Sequence, residues 1–396
     1  MEAQGHVAVI GTGAMGAGIA QVAATAGHTV HLVDVLDDAA ERARAAIVSR
    51  LDDRVSRGRM EAAEAAAVVA RLAVVDDLGA LPDCMVVIEA VREDLEVKRV
   101  LFAELAAHQP PTTVLASNTS SIDIDAVAEA VAGPERVIGL HFFNPAPAMA
   151  LVEVVGGRRS AEAYLTFGSD LVRAWGKTPV RCASTPGFIV NRVARPFYGE
   201  AQRLLAAGIA GPATIDSALR RAGFRLGPLE LTDLIGQDVN LAVGTSVWEQ
   251  TDRDPRYEPT AMQQQLVADG RLGRKNGHGI YPYAADGTLV TDEPDERLLR
   301  TLVGGPVETD PVARTLAMLV NEAVDLVHRG EATADDVDLA MRLGAGYPRG
   351  VIDWGHEIGF EVIARQIRAL DHAFPGGRYR PSPGLDTPGV TSTGRP

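Results

Sequence analysis

The run from Gly139 to Val155, GLHFFNPAPAMALVEVV, is apolar almost throughout, yet it carries an imidazole at His141, an amide at Asn144 and a carboxylate at Glu153. An imidazole titrates at about 6.5, close to working pH, so it can take up and release a proton. A carboxylate on its other ring nitrogen would hold one tautomer and stabilise the charge the ring acquires. Together His141 and Glu153 suit general acid–base chemistry such as removing a proton from a hydroxyl. The competing reading is that all three are core polar groups paired for structural reasons.

A second constellation opens the chain. In HVAVIGTGAMGAGIAQVAATAGHTVHLVD a β-branched run, Val7 to Ile10, leads into Gly11-Thr12-Gly13-Ala14-Met15-Gly16. A small-residue helix from Ala17 to Ala26 follows, then Gly27 and a second strand, Thr29 to Val33. In such a unit Gly11 makes the tight turn, Gly13 lets the backbone approach a pyrophosphate, and Gly16 permits close packing of helix on strand. Asp34 ends the second strand, where a carboxylate would accept hydrogen bonds from ribose hydroxyls and repel a 2′-phosphate. These residues predict an NAD site.

The elements that would position both constellations read as an open α/β sheet. Met85 to Ala90, Thr113 to Ser117 and Val137 to Leu140 are predicted strands, with a helix in EDLEVKRVLFAEL and a polar loop in SNTSSI. Ligands of such sheets sit outside the carboxyl ends of the strands, which places Glu89, Glu93, Asn118, Ser120 and His141 on the cofactor side. Asp37 to Leu72 reads as helical, with Arg42, Arg44, Arg50, Arg54, Arg57 and Arg59 close together. A solvated face is the first reading of this charge run, and a docking surface for substrate phosphates is the second.

From TPGFIVNR onward the pattern is helical, beginning near Pro186 with Asn191 in the first turns. One helical unit spans about Asn191 to Val239 and a related one about Ala313 to Val362. Glu200 matches Glu322, Gly208 matches Gly330, Asp216 matches Asp338, Gly227 matches Gly350 and Gly236 matches Gly359. The fold expected is an α/β Rossmann-type N-terminal domain followed by duplicated all-α C-terminal domains. The expected boundaries are 1–183 for the NAD-binding domain, 184–283 for the first helical copy, 284–310 for a connector, 311–375 for the second copy and 376–396 for a disordered tail.

Composition narrows the classes. A chain of 396 residues is too long for one hydrophobic core. Its net charge of −14 argues against a general nucleic-acid binder. No apolar run approaches the roughly 20 residues that cross a bilayer, and no signal-like segment opens the sequence, so a cytoplasmic protein is the default expectation. Cys84 and Cys182 lack CxxC spacing, so neither a disulfide framework nor a metal site is expected.

Several motifs in unbroken order carry a family resemblance: VIGTGAMGAGIA, IEAVREDLEVK, ASNTSSI, GLHFFNPAPAMALVEVV, TPGFIVNR, LGPLELTDLIG and LGRKNGHGIYPY. The sequence resembles the 3-hydroxyacyl-CoA dehydrogenase family over nearly its whole length. The second copy, with VNEAVDLVHRGEATADDVDLAM and LGAGYPRG, is similar to the tandem C-terminal domains of longer bacterial members, including those of phenylacetate degradation. The resemblance implies NAD-dependent, reversible oxidation of (3S)-3-hydroxyacyl-CoA thioesters, short or dicarboxylic, in fatty-acid β-oxidation or phenylacetate-type catabolism. It implies His141 and Glu153 as the catalytic pair, with Ser120 in the catalytic loop and Asn191 in the helical domain. It places Glu93, Lys98, Asn118, Asn144 and Lys275 with Asp34 at cofactor-contacting positions, and Arg50 and Arg57 at the coenzyme A. Two other readings stay open: a dehydrogenase of carrier-protein-bound hydroxyacyl units in biosynthesis, and a non-catalytic NAD(H)-binding protein.

There are departures from the family pattern. Phe224-Arg225-Leu226 stands where a Tyr-Pro pair is usual, and that pair appears instead as Tyr347-Pro348 in the second copy. Arg225 either biases the acyl pocket toward an acidic substrate or lies on the surface. The second copy lacks a PGFIVNR-like start, so it is expected to support packing or mimic a dimer partner, giving a homodimer or a pseudo-dimeric monomer.

Overall fold

The computed structural model describes residues 5–386 and falls into two compact units, divided between Phe188 and Ile189. The N-terminal unit holds, in chain order, β1 (His6–Ile10), α1 (Ala14–Thr25), β2 (Thr29–Val33), α2 (Ala39–Ser56), α3 (Ala62–Ala70) and β3 (Leu72–Val74). There follow β4 (Val86–Glu89), α4 (Leu95–His108), β5 (Val114–Ser117), α5 (Ile124–Ala128), β6 (Val137–Phe142), β7 (Leu151–Gly156), α6 (Glu162–Ala174) and β8 (Thr178–Ala183). Val7, Val9, Val30, Leu32, Val86 and Ile88 are fully buried, as strands covered on both faces require.

The eight strands form one sheet in the order β3-β2-β1-β4-β5-β6-β7-β8. From β3 to β6 all neighbours are parallel, and the chain switches sides between β1 and β4, which opens a crevice at their carboxyl ends. The connection from Phe143 to Ala150 is too short for a parallel crossover, which needs about a dozen residues or more. So β7 returns antiparallel to β6, with His141 directly opposite Glu153. The helix expected over Asp37–Leu72 is in fact α2 and α3, interrupted at Gly58, whose φ of +64° breaks the helical path. The strand β3 went unpredicted because three residues carry no readable period.

The second unit is helical: α7 (Val190–Val193), α8 (Arg195–Ala206), α9 (Pro212–Arg221), α10 (Pro228–Ile235), α11 (Gln237–Gln250), α12 (Ala261–Ala268), α13 (Glu296–Leu302), α14 (Pro311–His328), α15 (Ala334–Gly344), α16 (Val351–Ile358) and α17 (Phe360–Ala373). The duplication is visible in its packing. Asp216 accepts the backbone N–H groups of Leu229 and Glu230 at the start of α10, both at 2.9 Å. Its counterpart Asp338 accepts those of Ile352 (2.6 Å) and Asp353 (3.1 Å) at the start of α16. Each carboxylate lies where a Cβ on the matching glycine would stand, 2.2 Å away for both Gly227 and Gly350, so only glycine fits.

Two charge clusters complete the correspondence. The buried Glu200 on α8 meets Arg314 (2.7 Å), Arg378 (2.6 Å) and the Tyr379 hydroxyl (2.8 Å). The equally buried Glu322 on α14 meets Arg192 (2.5 Å), Arg256 (3.2 Å) and the Tyr257 hydroxyl (2.6 Å). The partners are displaced along the chain by the same offset as the two glutamates, and each carboxylate takes an arginine from the other copy.

These contacts correct two expectations. The tail expected to be disordered from Gly376 is packed as far as Asp386, because Arg378 and Tyr379 are tied to Glu200 and Ser382 donates its N–H to Asn321 at 2.7 Å. The rest of that tail, 387–396, lies outside the described residues. The expected connector 284–310 contains α13, and Leu302 is buried in one apolar cluster with Leu204, Ile215 and Leu229 of the first copy. Among the described residues no helix is long and apolar enough to cross a membrane.

Candidate active site

The glycine turn is built as its sequence demands. Gly11 has φ +88°, and a Cβ there would meet the Ala90 carbonyl oxygen at 2.7 Å. A Cβ on Gly16 would stand 1.8 Å from the Gly11 carbonyl oxygen, so the helix can lie against the turn only with glycine. Gly13 is exposed and has nothing within 4 Å of its would-be Cβ, leaving its backbone open to a ligand at the start of α1. Asp34 accepts the Thr12 N–H (2.7 Å) and hydroxyl (2.8 Å) on one oxygen and the Leu36 N–H (3.1 Å) on the other. Burial raises its pKa, but these donors outweigh that and hold it below the ordinary carboxylate value, so it is an anion at neutral pH. Beside it Val35 and Leu36 are exposed apolar side chains, a feature that sequence reasoning did not single out.

At the carboxyl ends of β4 and β5 a polar hub fixes the SNTSSI loop. Lys98, only 1% exposed, pairs with Glu89 at 2.6 Å and with Glu93 at 3.2 Å. Glu89 also accepts the Ser117 hydroxyl (2.6 Å) and the Val91 N–H (2.7 Å). Glu93 accepts the Thr119 hydroxyl (2.5 Å), the Ser121 hydroxyl (3.0 Å) and the backbone N–H of Ser120 (3.1 Å). Burial raises the Glu93 pKa, and the Lys98 ammonium with the two hydroxyls overrides this and lowers it. Lys98 therefore sits beneath the loop, with its ammonium held between Glu89 and Glu93. Glu89 was placed on the cofactor side by its strand position but given no role. A glutamate ending a fully buried strand was the signal, since a charge there must have partners.

Asn118 is turned toward β6, where its Oδ1 accepts the Phe142 N–H at 2.8 Å. That bond fixes the SNTSSI loop against the strand bearing His141. The His141 Nδ1 lies 2.6 Å from Glu153 Oε2, with both side chains buried. The ring packs against Phe143 (centroids 4.5 Å apart) and Phe188 (5.7 Å). With Nδ1 engaged, Nε2 has no hydrogen bond to another described residue and is the nitrogen left for chemistry. Ser120 is partly buried in its loop and Asn144 is exposed in the turn after β6.

The remaining expected residues are set as follows. Asn191 is partly buried in α7 of the helical unit. Lys275 stands on a short turn of that unit with its ammonium on Asp238 at 2.5 Å. Arg50 is exposed on α2 and Arg57 just past its end, Arg50 donating to Gln21 (2.9 Å) and Arg57 to Asp53 (2.9 Å). Arg225 is exposed.

Comparison with known proteins places this geometry. A family model described as 3-hydroxyacyl-CoA dehydrogenase, NAD binding domain, matches residues 6–185. A second, 3-hydroxyacyl-CoA dehydrogenase, C-terminal domain, matches twice, over 187–283 and 311–388. The chain is 43% identical to a 3-hydroxyadipyl-CoA dehydrogenase of Escherichia coli (strain K12), over 95% of each sequence. It is 39% identical to the human mitochondrial hydroxyacyl-coenzyme A dehydrogenase, over 70% of this chain and 91% of that one. The crystal structure of a 3-hydroxybutyryl-CoA dehydrogenase from Escherichia coli K12 superimposes with a TM-score of 0.88 at 42% identity, covering 98% of both chains.

Proposed function

The chain belongs to the 3-hydroxyacyl-CoA dehydrogenase family, and from that premise we propose that it oxidises (3S)-3-hydroxyacyl-CoA thioesters to 3-ketoacyl-CoA with His141 as the base. The observation that carries the proposal is the buried His141–Glu153 pair at 2.6 Å, facing each other across β6 and β7. NAD is the cofactor of the family, and the residues present fit it: an open Gly13, a helix N-terminus behind it and an ionised Asp34. Bound NAD supplies the hydride acceptor.

The protein's own contribution is proton management and positioning. His141 Nε2 takes the proton of the 3-hydroxyl as the carbon–hydrogen bond breaks, and Glu153 stabilises the resulting imidazolium while fixing the ring. In reverse the imidazolium returns the proton to the 3-keto oxygen. Ser120 and Asn191 are assigned, on family grounds, hydrogen bonds to the substrate oxygens. On the same grounds Glu93, Lys98, Asn118, Asn144 and Lys275 are assigned to the cofactor, Glu93 and Lys98 also shaping the loop. The exposed arginines of α2 and its C-terminal end, Arg50 and Arg57 among them, offer cations for coenzyme A phosphates. Substrates are short or dicarboxylic 3-hydroxyacyl chains, of fatty-acid or phenylacetate-type catabolism.

NADH formation from 3-hydroxybutyryl-CoA and 3-hydroxyadipyl-CoA tests the substrate class. Turnover of neither by protein that binds NADH would overturn it, and faster turnover of an acyl-carrier-protein thioester would favour the biosynthetic reading.

Two substitutions probe the base and the nucleotide site separately. Glu153→Gln keeps the shape but removes the charge beside the imidazole. It should lower kcat by about 10²–10⁴-fold with little change in KM. A loss confined to KM would show that Glu153 serves binding instead. Asp34→Ala should weaken NADH binding by roughly tenfold and narrow the preference over NADPH. Fluorescence titration with both nucleotides measures this, and unchanged affinities for both would remove Asp34 from the cofactor site.

A further inference from the structure

Buried guanidinium groups in the helical unit are consistently paired with carboxylates: Arg192 with Glu322, Asp325 and Glu331, Arg256 with Glu322, and Arg314 with Glu200. Arg195 is held otherwise. Like Arg203 and Arg271 it is partly buried, and among the described residues no carboxylate lies within ion-pair distance of it; of the three it alone bonds Asn191. Its Nε donates to the Asn191 carbonyl oxygen (2.8 Å), its Nη1 to the Asn240 carbonyl oxygen (3.2 Å), and its guanidinium carbon sits 5.0 Å from the centre of the Tyr198 ring. Its Nη2 makes no hydrogen bond to the described residues.

A second orphan stands beside it. Tyr347 is buried among Phe197, Phe224 and Trp354, and its hydroxyl has no hydrogen-bond partner among the described residues. Arg195 stacks on Tyr198, whose ring centre lies 5.7 Å from that of Phe197, and Phe197 in turn lies 5.5 Å from Tyr347. An unpaired cation next to an unpartnered phenol is a donor set without its acceptor, and buried polar groups normally have one.

Position ties this set to the substrate. Ala194 has helical backbone (φ −76°, ψ −13°) and joins α7 to α8, so Arg195 lies one turn beyond Asn191 on the same helix face. One turn is about 5 Å. In a six-carbon dicarboxylic acyl chain the far carboxylate lies three bonds beyond the hydroxylated carbon, a comparable reach.

We propose that Arg195, with the hydroxyls of Tyr347 and Tyr198, recognises the terminal carboxylate of a dicarboxylic 3-hydroxyacyl-CoA and sets the enzyme's specificity. This rests on the dehydrogenase reading above and names its substrate class. It replaces Arg225, which is exposed, as the cation for an acidic chain. It also gives the second helical copy a role in recognition: Tyr347 comes from its LGAGYPRG segment, and the matching residue of the first copy is Phe224, which has no hydroxyl to offer. The competing role is that of Arg136 in the other unit, a structural cation whose two Nη donors both end on backbone carbonyls.

The test compares 3-hydroxyadipyl-CoA with 3-hydroxyhexanoyl-CoA, chains of equal length ending in a carboxylate or a methyl group. The wild-type enzyme should prefer the adipyl thioester by kcat/KM. Arg195→Leu should lower the adipyl-to-hexanoyl ratio by roughly 100-fold, Arg195→Lys by less, and Tyr347→Phe by about fivefold. Calorimetric binding of adipyl-CoA against hexanoyl-CoA should move in the same order without any turnover. If Arg195→Leu fails to fold, the lysine and phenylalanine variants still decide the ratio. Equal losses on both thioesters would make Arg195 structural, as would a wild-type enzyme indifferent to the terminal group, and either result leaves the dehydrogenase reading standing. Absence of turnover with both would instead remove that reading, and this inference with it.

Discussion

Replacing His141 with alanine is expected to lower kcat by about 10³–10⁴-fold while leaving the NADH dissociation constant within roughly twofold of wild type. The reason is spatial. His141 lies near the end of β6 with its Nδ1 committed to Glu153, whereas the residues proposed to hold the nucleotide, Gly11, Gly13, Gly16 and Asp34, lie in or next to β1, α1 and β2. Removing the imidazole takes away the proton acceptor and leaves the glycine turn intact. Stopped-flow NADH formation with 3-hydroxybutyryl-CoA, beside a fluorescence titration of NADH, reads the two effects apart. Activity within tenfold of wild type would show that another group takes the proton.

Glu200→Gln is expected to destabilise the helical unit by about 3–5 kcal/mol, the usual cost of leaving buried cations without their counter-charge. Arg314 and Arg378 both converge on this carboxylate. Burial alone would raise the Glu200 pKa, but Arg378, Arg314 and Arg203 outweigh it and hold it at about 2, against an ordinary 4.5. A carboxyl group depressed in the folded state stabilises the fold fully above its unfolded pKa. That contribution is lost as pH falls through the interval from 4.5 toward 2. Urea unfolding followed by circular dichroism should therefore show wild-type stability declining across that interval, and a shallower decline in Glu200→Gln. A variant within 1 kcal/mol of wild type at neutral pH, with the same acid profile, would show that the cluster contributes little.

What the sequence disclosed follows from the range of the interactions involved. The glycine turn and Asp34 were legible because one βαβ unit specifies them locally, through positive φ at Gly11 and the close approach of Gly16 to the turn. The pairing of His141 with Glu153 was legible as chemistry, while its geometry depended on β7 reversing direction after a short connection. Lys98 was placed at a cofactor-contacting position by the family resemblance, which says nothing of its burial. Its burial depends on Glu89, a residue of another element. Composition misled at the tail: Gly376 and Gly377 with the nearby prolines suggested disorder, whereas Arg378 and Tyr379 are anchored to Glu200, far away along the chain. That Arg195 lacks a carboxylate partner and the Tyr347 hydroxyl a hydrogen bond among the described residues was invisible in the sequence, because a missing neighbour leaves no pattern.

The crossed arrangement of the two charge clusters has a consequence for how the helical unit can be handled. Glu200 relies on Arg314 from the second copy and Glu322 on Arg192 from the first. Cutting the chain between the copies would leave each fragment with a naked buried carboxylate, so neither half is a self-sufficient module. Joined in one polypeptide, the halves meet at an effective concentration set by the intervening chain, not by the amount of protein in solution. Their mutual neutralisation therefore survives dilution that would dissociate a pair of unlinked chains.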